Sequence, residues 1–244
     1  MSTPLPGSSD VIIKDGPFVY LSDWDGTITT ADSNDYLIDN YGMGKENREK
    51  LSVEILAHRI NFRDAFYEML RGVSKVKSFG ECMEILKRDI VLDPGFKEFY
   101  FWAKENKIPV VIVSSGMAPF IRSVLSKLIG EEEAKKIDII SNDVKFNDPE
   151  GKDWEIVYRH PESGFGHDKS KAILPYRDLP NPPTLFFSGD GVSDMSAAKH
   201  ADHLFVRQGK DLEKYCTAQN IPYTPFDSFS NIKKYVGDVI ASKQ

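Results

Sequence analysis

The chain has 244 residues, 41% of them hydrophobic and 28% charged, enough to bury a core with a sub-domain and too apolar for disorder. Its net charge of −6 leaves no basic excess to meet a nucleic-acid backbone, and no apolar run approaches the roughly 20 residues of a membrane span. Cys82 and Cys216, far apart, argue against a disulfide scaffold and cannot hold zinc by themselves. Residues 1–10 read as a short leader lacking the apolar core of a signal peptide. The expected location is the cytoplasm, with a nuclear presence left open.

The first element is an apolar run, Phe18 to Ser22, that delivers Asp23 and Asp25 into a turn at Gly26-Thr27. Acids at the end of a buried strand are costly unless something pairs with them, and a divalent cation and a phosphate are the obvious partners. From Ser33 to Lys87 the apolar spacing is helical, and Ser78 with Glu81 fits a capping box. Four short helices here predict a small cap, residues 31–92, inserted into a core of 1–30 and 93–244. Asp93-Pro94-Gly95 punctuates its end, and a helix through Phe96, Phe99 and Trp102 leads into a second apolar run, Val110 to Ser114.

A weaker strand at Asp138–Ser141 precedes a β-hairpin insertion over about 144–166, with arms Val144–Phe146 and Trp154–Tyr158. The third strong run is Thr184 to Gly189, and another weak strand is His203–Val206. A terminal helix carries Ile232, Tyr235, Val236, Val239 and Ile240 on its apolar face. Strands alternating with helical patterns predict an α/β fold with a Rossmann-like parallel sheet, where ligands bind beyond the carboxyl ends of the strands. The polar residues that end the three strong strands would converge there.

Four pieces carry chemistry. In Asp23-Trp24-Asp25-Gly26-Thr27, one carboxylate can attack phosphorus while the other protonates the leaving alcohol. Thr27 can donate to a phosphate or cap the turn, whereas strand alternation turns Trp24 away toward packing. Ser114, Ser115 and Gly116 offer a hydroxyl and backbone N–H groups before a helix, a ready phosphate cradle. Lys169 would neutralise phosphoryl oxygens, with Lys171 a close competitor. Asp190 and Asp194, spaced by four across a glycine turn, are oxygen ligands that suit Mg²⁺. His160 and His167 read as surface residues of the lysine loop.

Taken in order, these pieces resemble the motifs of haloacid dehalogenase-like phosphohydrolases, a likeness running from residue 18 to about 208. The resemblance implies Asp23 as nucleophile and Mg²⁺ ligand, and Asp25 as acid/base lending its backbone carbonyl to the metal. It implies phosphate binding by Ser114 and Lys169, and a metal site completed by Asp190 and Asp194. An aspartate at position 25 fits a phosphatase rather than an ion-pumping ATPase or a haloalkanoate dehalogenase. The helical insertion resembles the cap of the phosphoserine phosphatase-like branch, where Asp32, Phe62 and Met69 fall at substrate-side positions. Phosphoserine phosphatases carry glutamate and arginine where this chain has Asp32 and Met69. Asp93 to Phe99, Ser141-Asn142 onward through Trp154, and the loop from Gly164 to Ile173 are similar to 2-hydroxy-3-keto-5-methylthiopentenyl-1-phosphate phosphatases, although Phe165-Gly166-His167-Asp168 stands just before the lysine, where members of that group tend to have cysteines.

The implied function is a Mg²⁺-dependent phosphatase that hydrolyses a small phosphorylated metabolite through an aspartyl-phosphate, as a monomer or homodimer with no nucleic-acid or membrane partner. A phosphotransferase or mutase would use the same residues. A non-catalytic phosphate-binding regulatory protein is the third reading.

Overall fold

Apolar runs without alternation are the mark of strands covered on both faces. In the computed structural model, which describes residues 13–243, Val19, Tyr20, Leu21, Leu185, Phe186 and Phe187 are all fully buried. Three of the strands follow the expected runs: β1 (Phe18–Ser22), β2 (Val110–Met117) and β5 (Thr184–Gly189). The chain is α/β, and the seven strands among the described residues follow the order β4-β3-β2-β1-β5-β6-β7, with β3 (Asp138–Phe146), β4 (Trp154–Val157), β6 (His203–Arg207) and β7 (Thr224–Phe226).

The residues divide into two compact units, with β2 running through both. One unit holds β1, Val91–Val113 and the chain from Lys169 onward. Its strands pair in parallel, Ser22 opposite Ile112 on one side and Ser188 on the other. That register brings the ends of β1 and β5 to one level, and the backbone N–H of Asp23 donates to Ser188 O at 2.9 Å. Against the sheet, Tyr20 meets Phe99 of α5 (Phe96–Glu105) at 4.6 Å between ring centroids. Phe99 also meets Phe229 of α11 (Phe229–Lys243) at 5.2 Å. The short strand β7 has no counterpart in the sequence reading, because Pro225 in a three-residue strand looks like a turn. As the last strand in the order it has one pairing neighbour, where proline is tolerated.

The other unit comprises Ala31–Ile90 and Ser114–Asp168. Its four first helices are α1 (Ser33–Tyr41), α2 (Lys45–Leu56), α3 (Phe62–Ser74) and α4 (Phe79–Asp89). The Ser78–Glu81 capping box is formed, with Glu81 N donating to Ser78 Oγ and Ser78 N to Glu81 Oε2. Asp138–Ser141 and Val144–Phe146, read separately in the sequence, are one nine-residue strand, paired antiparallel with β4. Helix α3 docks on that hairpin: Tyr67 donates to Glu155 at 2.7 Å, and Arg71 donates to Asp153 and to Trp154 O, each at 2.7 Å. Phe79 of α4 stacks on Phe120 of α6 (Ala118–Ile129) at 4.2 Å and meets Trp154 edge-on at 5.4 Å. Cys82 and Cys216 are buried free thiols. The leader expected over residues 1–10 lies outside the described residues.

Candidate active site

The turn after β1 is wound on one acceptor. Trp24 O receives the backbone N–H of Thr27, Ile28 and Thr29, and Gly26 takes φ +72°, a left-handed value glycine adopts without strain. A Cβ on Gly26 would overlap the Asp190 carboxylate, so the two motif loops meet where the side chain is missing. Trp24 is wholly buried, and Asp23 and Asp25 are only 4% and 8% exposed.

Lys169 joins these acids. Its fully buried ammonium lies 2.5 Å from Asp23 Oδ1 and 2.7 Å from Asp194 Oδ1, while Lys171 is exposed. The Thr27 hydroxyl donates to the other oxygen of Asp23 at 3.1 Å. Asp194, also fully buried, accepts from the backbone N–H of Asp190 and Gly191 through Oδ2, each at 3.0 Å. Asp23, Asp190 and Asp194 each present an oxygen within 4.8 Å of the others.

The electrostatics follow from this crowding. Burial first, then the charge of Asp194, push the Asp23 carboxyl up to about 7 against the pull of Lys169. Burial alone would depress the Lys169 ammonium, but Asp194 and Asp23 outweigh it and hold the group above its ordinary value. Asp23 and Asp194 share the one Lys169 ammonium, which leaves a surplus of negative charge between them. All the donors are hard oxygens, so the cluster fits Mg²⁺ in charge and in chemistry.

The remaining expected residues belong to the other unit. At the end of β2 the Ser114 hydroxyl accepts from Gly116 N–H at 3.0 Å, and the buried Ser115 hydroxyl has no hydrogen-bond partner among the described residues. Asp32 is the N-cap of α1, accepting from Asp35 N at 2.8 Å. Phe62 is half-buried and stacked on Phe66 at 5.1 Å, and Met69 is buried on the inner face of α3. His160 and His167 depart from the surface position expected of them: both are buried, with ring centroids 5.3 Å apart. Loop residues carry no periodicity, so nothing local announced that burial. Asn142, which stood out only through a resemblance, is buried too and donates to Ser115 O.

The family model for haloacid dehalogenase-like hydrolases matches residues 20–199. Pdp3-interacting factor 1 of Schizosaccharomyces pombe is 50% identical over 215 residues, 87% of this chain and 92% of the relative. Polyol phosphate phosphatase PYP1 of Saccharomyces cerevisiae is 45% identical over 234 residues, 93% of this chain and 95% of the relative. A 2-hydroxy-3-keto-5-methylthiopentenyl-1-phosphate phosphatase of Geobacillus kaustophilus is 29% identical, covering 88% and 93% of the two chains. Among solved structures, a phospho-aspartyl intermediate analogue of phosphoserine phosphatase shares the fold, with TM-score 0.67 and 18% identity over 91% of this chain and 99% of that one. By its ordered motifs, its fold and its relatives, the chain belongs to the haloacid dehalogenase-like hydrolases.

Proposed function

We propose that this protein is a Mg²⁺-dependent phosphatase that releases a small polyol from its phosphate ester through an aspartyl-phosphate on Asp23. The observation that carries the reading is Lys169, buried and bonded to both Asp23 and Asp194 at the ends of β1 and the β5 loop. Asp23, Asp190 and Asp194 would hold the metal, with the backbone carbonyl of Asp25 as a further ligand. A bound Mg²⁺ supplies neutralisation of the phosphoryl oxygens and of the surplus carboxylate charge.

Asp23 forms the new P–O bond as the ester P–O bond breaks, and Asp25 gives its proton to the departing alkoxide. Asp25 then takes a proton from water as that water attacks the aspartyl-phosphate, releasing inorganic phosphate and restoring both carboxyl groups. Thr27 and Lys169 hold the two oxygens of Asp23, and Lys169 offsets charge on the phosphoryl group. Ser114, with the N–H groups of Ser115 and Gly116, is read as the phosphate cradle. Ser114 stands two residues beyond Ile112, the partner of Ser22, on the same strand.

The substrate class has two supports. PYP1, named a polyol phosphate phosphatase, matches nearly the full length of this chain. On α3, Met69 is apolar and the Arg71 guanidinium is taken by Asp153 and Trp154 O, so neither offers a charge for a substrate carboxylate. Residues 31–92 are read as a substrate-selecting cap inserted into a core of 1–30 and 93–244, with Asp32, Phe62 and Met69 as its substrate-binding residues.

A panel of phosphate esters assayed with Mg²⁺ tests this. Polyol phosphates should give the highest kcat/KM, above phosphoserine and the methionine-salvage ester, and an added acceptor alcohol should capture no phosphoryl group. EDTA should abolish turnover and lower Tm, since a ligand that binds only the folded state stabilises it by mass action. Phosphoserine as the best substrate would overturn the polyol assignment, and full activity in EDTA the metal.

A further inference from the structure

The two peptide groups that follow Ser114 are each gripped by a buried side chain. His167, with no exposed surface, places Nδ1 2.7 Å from the carbonyl oxygen of Ser114. A carbonyl only accepts, so Nδ1 carries the hydrogen. Asn142, 1% exposed, donates from Nδ2 to the carbonyl oxygen of Ser115 at 2.7 Å, and its own Oδ1 accepts from Arg159 N–H at 2.8 Å. Both spend a polar group in the interior on one short stretch of backbone.

A peptide group is planar, so a fixed C=O fixes the N–H of the next residue in the opposite direction. Asn142 therefore aims the N–H of Gly116, and that N–H is the group bonded to Ser114 Oγ at 3.0 Å. A hydroxyl has one hydrogen to give and two lone pairs to receive with. With one lone pair taken by Gly116, the Ser114 hydrogen remains available to an incoming anion. His167 fixes the peptide between Ser114 and Ser115, so the backbone beside that hydroxyl is held in two successive planes. Hydrogen bonds in series also polarise one another, which strengthens the last donor in the chain.

We propose that His167 and Asn142 are positioning residues that set the Ser114 hydroxyl for the phosphoryl group. The inference rests on the reading of Ser114 as a phosphate ligand. A plain structural role, satisfying buried carbonyls, would also call for these bonds. It would not require phosphate affinity to follow the donor atom.

The test uses the Mg²⁺-loaded enzyme with inorganic phosphate as competitive inhibitor and an aryl phosphate as substrate. Asn in place of His167 puts an amide N–H near the position of Nδ1, whereas Gln puts it near Nε2. His167→Asn should keep the phosphate Ki within about threefold of wild type, while His167→Gln and Asn142→Ala raise it about tenfold, in the range seen when outer supporting groups are removed. KM should rise with Ki, with kcat falling less. Thermal melts report folding separately. Folded His167→Gln and Asn142→Ala proteins with Ki within twofold of wild type would overturn the proposal, and so would His167→Asn behaving like His167→Gln. Should Asn142→Ala fail to fold, the Asn and Gln pair at position 167 decides alone. Ser114→Ala is the control: an unchanged Ki there refutes the phosphate role of Ser114 itself, a failure distinct from that of its two supports.

Discussion

Lys169 has its ammonium between Asp23 and Asp194, and the neighbouring acids outnumber it. Removing the cation or removing an acid should therefore have opposite effects on stability. Lys169→Met leaves buried carboxylates uncompensated and should cost about 3–5 kcal/mol in urea unfolding of the metal-free protein. Asp23→Asn takes away part of the surplus charge and should leave the metal-free protein at least as stable as wild type. Both variants should lose turnover, Asp23→Asn by more than about 10³-fold. Equal destabilisation by the two would contradict the charge argument. The acids were visible in the sequence because each follows an apolar run. That the cation between them is Lys169 and not Lys171 could not be read from spacing, because both stand at the start of α8 (Ser170–Arg177). Burial of one and exposure of the other decides it.

Helix α4 begins with a signal that is entirely local. Ser78 and Glu81 exchange hydrogen bonds across three residues, so their contribution depends little on the rest of the molecule. Ser78→Ala should cost about 1 kcal/mol. Bonds from the Ser78 backbone, then Lys77 and the Ser78 hydroxyl, pull the Glu81 carboxyl from its ordinary 4.5 down to about 2. A depressed acid stabilises the fold above its unfolded value, and that contribution is lost as pH falls from about 4.5 towards 2. The Tm gap between wild type and Glu81→Gln should accordingly narrow across that window, and a constant gap would show that the capping charge contributes nothing. Helix α3 is the contrary case. Its apolar stripe through Phe66 and Met69 was legible, but the partners of Arg71 were not, since Asp153 and Trp154, just before and at the start of β4, lie more than 80 residues away.

At the scale of the molecule, the β1 turn is tied to distant segments of its own unit through Arg207 and Asp93. Arg207 donates to Thr27 O at 2.5 Å and to Asp93 Oδ2 at 3.0 Å, and its guanidinium also reaches Asp227 O at 2.6 Å. Asp93 Oδ1 in turn accepts from Gly95 N, Phe229 N and Ser228 Oγ. The pair joins the turn after Asp25, the start of α5, the end of β6 and the start of α11. Asp93→Ala strands a mostly buried guanidinium and should cost about 3–5 kcal/mol, measured by urea unfolding. A loss below 1 kcal/mol would show that the link carries little.

Neither Arg207 nor the role of Asp93 was apparent from the chain, where Asp93-Pro94-Gly95 read only as a turn. The sequence by itself determined the α/β alternation, the four short helices and the acids at strand ends, because hydrophobic period and turn chemistry act over a few residues. Tertiary structure alone decided that His160 and His167 are buried and what Arg71 and Arg207 hold. Burial and partner choice are properties of segments brought together from distant parts of the chain, and no local pattern encodes them.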